Sequence, residues 1–137
     1  MQRIVVICVG RMKERFYIDA AAEYAKRLNR YCRLELVELP EQRLPDNPSA
    51  AEIGRALARE ADAVRAKLPP SAALVALCVE GRLRSSEEMA QLLGTAAVGG
   101  DKCLAFVIGG SFGLDEGLMG STPPSRRGLG PLCPCPP

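Results

Sequence analysis

The sequence contains no histidine, no CxxC pair and no long hydrophobic run, and each absence excludes a class of protein. Without histidine, ordinary His general-base catalysis and most catalytic zinc sites are excluded. The six cysteines lack the spacing of a zinc or thioredoxin-like motif, and Cys133 and Cys135 lie in a proline-rich tail with no other metal ligand. Six apolar residues separate Arg3 from the next charge region at Arg11, too few for a secretory signal or a membrane span. These absences predict a reduced, cytoplasmic protein that binds no metal and no membrane.

Length and charge indicate one globular domain with an uneven charge distribution. The 137 residues, 47% hydrophobic and 25% charged, suffice for a single buried core. The net charge of +2 is too small to predict a polyanion partner by itself. Residues 11–33, however, carry seven basic against three acidic side chains, whereas residues 34–62 carry three against seven. The early basic segment suits phosphate groups, although a solvated helix face is the simpler explanation and the default.

Apolar runs and helical patterns alternate along the first 108 residues. A helix over 14–28 is indicated by apolar residues four apart, and two further helices by the capping boxes of Ser49 with Glu52 and Ser85 with Glu88. We expect the second helix to end near Leu68 and the third near Gly94. Strands are predicted over residues 3–9, 33–39, 73–79 and 103–108. The order βαβαβαβ predicts a parallel α/β sheet with helices on both faces.

Two predicted strands end in glycine-containing segments, residues 77–81 (LCVEG) and 109–113 (GGSFG). Ligands of open α/β sheets bind at the carboxyl ends of strands, where glycine lets the backbone approach them closely. A plain strand-to-helix turn is the alternative. Glu80 follows the third strand and is placed to accept a hydrogen bond from a ribose hydroxyl, or simply to face water.

Known catalytic motifs are incomplete at the GGSFG segment. It matches the G-x-S-x-G nucleophile elbow, but the chain has no histidine, and the nearest lysine, Lys102, precedes the strand. Neither a Walker loop nor a dinucleotide fingerprint is present. Asp115 and Glu116 suit the first turn of a following helix, where they complement its dipole. No catalytic residue is assigned.

A combination of short segments in order is more specific than any single one. This combination resembles the bacterial ribosomal RNA large subunit methyltransferase H family, and the resemblance covers residues 1 to about 117. The segments are 4–10 (IVVICVG), 13–17 (KERFY), 22–28 (AEYAKRL), 38–40 (ELP), 77–81 (LCVEG) with Ser85 and Ser86, and 106–114 (FVIGGSFGL).

The resemblance implies a fold, a cofactor and a substrate. The fold is the SPOUT class, a Rossmann-like parallel sheet with a trefoil knot near the carboxyl end. The implied reaction transfers a methyl group from S-adenosyl-L-methionine to ring nitrogen 3 of a pseudouridine in 23S ribosomal RNA, with a homodimer as the working unit. By resemblance, Leu77 and Gly109 contact the cofactor, and Gly110 is added because a side chain there would crowd an adenosyl group.

The basic segment at residues 11–33 suggests a further contact with ribosomal RNA. Its arginines are hypothesised to hold RNA phosphates, which position a nucleic acid without specifying its sequence. Replacing Arg27, Arg30 and Arg33 together tests this role, since unchanged RNA affinity rules it out.

After Gly117 the composition changes abruptly. Six of the eleven prolines fall in the last twenty residues, which predicts a disordered tail over 118–137 behind a methyltransferase domain over 1–117. The family's M-T-F-P-H type cofactor loop, final helix and knot-completing segment do not occur. We therefore expect a frameshift or truncation, with a natural short tail as the alternative. We also expect loss of much dimer surface and an impaired or inactive chain. The other readings are a non-catalytic remnant and an unrelated α/β nucleotide-binding module.

Overall fold

A computed structural model describes residues 1–100, 103–120 and 132–133 of the chain. Within these residues, strands and helices alternate, which confirms the predicted α/β class. The elements are β1 Gln2–Val9, α1 Arg15–Leu28, β2 Cys32–Leu39, α2 Ala50–Lys67, β3 Ala72–Leu83, α3 Ser86–Val98, β4 Cys103–Ile108, α4 Glu116–Gly120 and β5 Leu132–Cys133.

The described strands form one sheet in the order β2-β1-β4-β3-β5, with every neighbouring pair parallel. β4 is therefore the middle strand, with β1 and β3 on either side, and Cys8 of β1 lies opposite Ile108 of β4. On the other side of β4, Leu77 of β3 also lies opposite Ile108. Because parallel strands end at the same edge, this register brings the two glycine-containing segments together.

Alternating side chains of the central strands supply two cores, one on each face of the sheet. Val5 and Ile7 of β1 pack with Val64 of α2 and with Leu118 of α4. The opposite face joins Val75, Leu104 and Phe106 to Leu92 and Ala96 of α3. The helices therefore cover both faces, as the order of elements predicted.

Helix α1 is the exception, because it buries no residue. Its predicted apolar stripe is solvent-exposed: the accessible fraction is 62% for Phe16, 65% for Tyr24 and 43% for Leu28. The spacing of four thus identified a real apolar face, but in the single chain that face contacts neither core.

Local signals located most helix starts correctly, and two element ends differ from prediction. Both capping boxes form as expected. α3 continues through Gly94 to Val98, since glycine costs a helix only about 1 kcal/mol, and the chain turns at Gly100 with φ 84°. β3 runs to Leu83 rather than ending at residue 79, because its last residues pair with β5.

Most of the predicted tail, including Cys135, lies outside the described residues. The first residue of the predicted tail, Leu118, is described: it is only 1% exposed and belongs to the α2-side core. Leu132 and Cys133 form β5 beside β3 at the edge of the sheet. No helix in the described part of the chain is long and apolar enough to cross a membrane.

Candidate functional site

The candidate site lies at the carboxyl edge of the sheet, where β1, β2 and β4 end side by side. β1 leaves the sheet through Gly10, whose φ of 99° suits glycine. The Gly10 N–H donates to the carbonyl of Leu39 at 2.7 Å, which ties the end of β1 to the end of β2. This hydrogen bond fixes the relative positions of the two strand ends from which the loops of the site begin.

The GGSFG segment forms a closed turn directly after β4. The N–H of Gly113 donates to the Gly110 carbonyl at 3.0 Å, and Gly113 has φ 82°. A Cβ on Gly109 would lie 2.5 Å from the Gly113 carbonyl oxygen. Because that oxygen belongs to the backbone and cannot rotate away, closure of the turn itself requires glycine at position 109.

Glu41 holds this turn from the side, and no sequence motif indicated this role. Its Oε1 accepts a hydrogen bond from the Ser111 N–H at 2.6 Å, across 70 positions of sequence. That bond lowers the pKa of the Glu41 carboxyl. The only sequence signal was the position of a carboxylate just after a strand end that shares this edge.

Gly110 is explained by Glu41 as well. A Cβ at position 110 would lie 2.7 Å from Oε1 of Glu41. The structure therefore supplies an intrachain reason for the second glycine, independent of the adenosyl group that the resemblance suggested. Either reason excludes a side chain, and the two are separable by experiment.

Beneath Glu41, a second carboxylate is buried in α2. Glu60 is 7% exposed, and its Oε1 accepts from the Gln42 N–H at 3.3 Å. Burial raises the pKa of Glu60; the bond from Gln42 opposes this shift, and the nearby Glu41 carboxylate adds to it. The β2–α2 loop is thus anchored both to the glycine turn and to α2.

The edge offers apolar side chains together with backbone groups. Ile108 is 39% exposed and Phe112 47%, while Leu77 is half-buried against the α3-side core. Such a surface suits the flat, largely apolar face of a nucleoside. The register places Leu77 beside the β4 end, so all three sequence-predicted cofactor residues, Leu77, Gly109 and Gly110, lie together.

The other candidate residues predicted from the sequence differ in their positions and contacts. Asp115 caps α4, accepting from the Gly117 N–H at 3.0 Å, as its predicted position suggested. The Glu80 side chain and Lys102 lie outside the described residues. The carboxylate beside Ser111 is that of Glu41, and its lowered pKa makes it a weak base for activating a hydroxyl. The edge is therefore suited to positioning a ligand rather than to nucleophilic attack.

Comparison with known proteins gives the family. A family model described as "Predicted SPOUT methyltransferase" matches residues 2–123. The chain belongs to the SPOUT methyltransferase family. It is similar to "Ribosomal RNA large subunit methyltransferase H" of Streptococcus equi subsp. zooepidemicus, with 42% identity over 116 residues, covering 85% of this chain and 73% of the relative.

Relatives from other bacteria match over a similar length. The protein of the same name from Pelotomaculum thermopropionicum is 40% identical over 119 residues, or 87% of this chain and 74% of the relative. That of Acetivibrio thermocellus is 42% identical over 117 residues, or 85% and 74%. This confirms the family resemblance and the SPOUT assignment of the α/β sheet.

Proposed function

We propose that this SPOUT methyltransferase uses S-adenosyl-L-methionine to methylate ring nitrogen 3 of a pseudouridine in 23S ribosomal RNA, in the cytoplasm. Support comes from the relatives, which are named as ribosomal RNA methyltransferases, and from the resemblance of the ordered motifs. The observation that carries the proposal is the register of β3 against β4, which places Leu77 beside the strand end that leads into Gly109.

The residues at this edge fit the cofactor. S-adenosyl-L-methionine would supply a methyl group already activated by its sulfonium. Leu77 would hold the adenosyl group by apolar contact, and the backbone of Gly109 and Gly110 could approach it without a side chain between them. Glu41 keeps that backbone in one conformation through its bond to Ser111.

Methyl transfer from a sulfonium needs alignment more than a strong base. The described edge provides alignment through a turn closed at Gly113 and clamped at Ser111. We assign no catalytic base. The third cofactor loop implied by the resemblance does not occur in these 137 residues, so we propose that they bind the methyl donor weakly.

Calorimetric titration of the purified chain with S-adenosyl-L-methionine and with ATP tests the proposal. We expect weak but specific heat with the methyl donor, corresponding to a Kd of about 1 mM, or roughly 4 kcal/mol of binding free energy, and none with ATP. Preference for ATP would instead support a general nucleotide-binding module. A micromolar Kd for the methyl donor would contradict the proposed impairment.

We also propose that the chain forms a weak homodimer through α1. The resemblance implies a homodimer, and the exposed stripe of Phe16, Tyr24 and Leu28 is apolar surface that the single chain leaves uncovered. Changing Phe16 and Tyr24 to serine should move the chain toward monomer in sedimentation equilibrium. Val98, 90% exposed at the end of α3, gives the matched control, and Val98→Ser should leave the mass unchanged. A wild-type chain that is monomeric at millimolar concentration would rule out this interface.

A further inference from the structure

A surface pocket lies between the β2–α2 loop and residues 52–59 of α2. Its volume is about 170 Å³, and Arg43, Arg55 and Arg59 line it together with Glu52 and Ala56. Arg55 and Arg59 are one helical turn apart on α2, and Arg43 reaches the pocket from the loop. Three arginines therefore line one concave surface.

Three arginines and one carboxylate line the pocket, so its net charge is positive, and the charge of Arg55 also acts on Glu52. Glu52 is its single lining carboxylate, and that group is engaged in the capping box, accepting from the Ser49 N–H at 2.7 Å. Among the described residues, Arg43, Arg55 and Arg59 form no ion pair, whereas six other arginines lie within 4.0 Å of a carboxylate. Arg11, Arg30 and Arg33 are also unpaired within the described residues, so convergence on one pocket is the distinguishing feature.

The pocket adjoins the candidate methyl-donor site through two consecutive residues. Glu41 bonds to the glycine turn at Ser111, and Gln42, which follows it, lines the pocket and bonds to Glu60. Both surfaces lie at the carboxyl edge of the sheet, on loops anchored to one another. A ligand held by the arginines would thus be adjacent to the turn.

We propose that the pocket formed by Arg43, Arg55 and Arg59 binds a phosphate group of an RNA backbone. Guanidinium forks match phosphate oxygens in bidentate geometry, and they keep their charge at every physiological pH. A volume of 170 Å³ is below the roughly 300–1,000 Å³ of small-molecule sites, which favours one phosphate group over a whole nucleotide. Such a contact would set the register of the RNA beside the methyl donor. This inference rests on the proposed RNA substrate.

The test compares two variants that remove equal charge from the full chain. Arg55→Gln with Arg59→Gln alters the pocket. Arg3→Gln with Lys67→Gln alters the opposite edge of the sheet, at the start of β1 and the end of α2. Binding of a fluorescent 20-nucleotide single-stranded RNA is titrated at several salt concentrations. The pocket variant should bind roughly tenfold more weakly, with the slope of log K against log salt reduced by about 0.7, the value for one lost phosphate contact on a single strand.

Additional measurements identify the ligand and show whether the variants remain folded. Arg55→Lys with Arg59→Lys should recover most of the slope, since charge returns, and thermal melts should agree among all variants. Equal losses of RNA affinity in the pocket and control variants would overturn the proposal. It would also be overturned if polyglutamate displaced the labelled RNA from the wild-type chain as effectively as unlabelled RNA does. Binding of inorganic phosphate that RNA does not displace would assign the pocket to the free ion and also overturn it. Binding of S-adenosyl-L-methionine is measured in a separate calorimetric titration. The RNA-binding result can therefore be interpreted even if the cofactor proposal fails.

Discussion

Replacing Gly109 with alanine should lower the unfolding midpoint by roughly 5–10 °C, the consequence of losing about 2 kcal/mol of stability. The added Cβ would lie 2.5 Å from the carbonyl oxygen of Gly113 and 2.6 Å from its carbonyl carbon. Both are backbone atoms at a turn closed by the Gly113 N–H, so no side chain can rotate away to relieve the contact. The turn must open, and any heat with S-adenosyl-L-methionine should disappear with it.

Gly54→Ala provides the matched control for this substitution. Gly54 lies inside α2, and a Cβ there would meet no atom within 4 Å. Alanine is the better helix former by about 1 kcal/mol, so this variant should melt a few degrees above the wild type. Scanning calorimetry measures both changes. If Gly109→Ala melts within a degree of the wild type, the turn is not closed as described.

The parts of the fold that sequence predicted are those fixed by neighbouring residues. In each capping box, the serine and glutamate side chains accept hydrogen bonds from each other's backbone N–H groups within one helical turn. Both helix starts could therefore be inferred, at Ser49 with Glu52 and at Ser85 with Glu88. The end of β3 could not, because it depends on pairing with Leu132 and Cys133, about fifty residues away. The strand order likewise follows from contacts between elements and not from any one segment.

The same distinction applies to the candidate site. Leu77, Gly109 and Gly110 were identified from motif and resemblance, and the register between β3 and β4 places them together. Glu41 was missed, since nothing near it in sequence indicates a partner 70 positions later. The arginine pocket was missed for a related reason. Residues 34–62 carry a net negative charge, which conceals the local convergence of three arginines.

Glu41→Ala should cost about 1 kcal/mol of unfolding free energy at pH 7, since it removes an acceptor for the Ser111 N–H at an exposed site where solvent screens the charge. The pH dependence follows from the lowered pKa of Glu41. Because the folded-state pKa lies below the unfolded value, this contribution is present above the unfolded pKa and is lost as pH falls through the folded pKa. Glu41→Gln keeps an acceptor without the charge, so it should lose less at pH 7 and lack this acid-dependent part. Urea titrations at pH 7 and pH 3 measure both effects. Glu38→Ala, at an exposed position of β2, is the control and should change little.

Combining Glu41→Ala with Gly110→Ala separates the two explanations for the second glycine. Gly110→Ala alone should destabilise the chain by about 1 kcal/mol or more, because its Cβ would lie 2.7 Å from Oε1 of Glu41 and displace the bond to Ser111. In the Glu41→Ala background that carboxylate is gone, so Gly110→Ala should cost almost nothing further, and the cycle should show a coupling of about 1 kcal/mol. Additive losses would contradict the intrachain explanation. Binding of S-adenosyl-L-methionine to the double variant addresses the other explanation. If an adenosyl group lies against residue 110, the double variant should bind the methyl donor more weakly than Glu41→Ala does, although the two variants are equally stable. A glycine kept for both reasons would therefore show coupling in stability and an independent loss in binding.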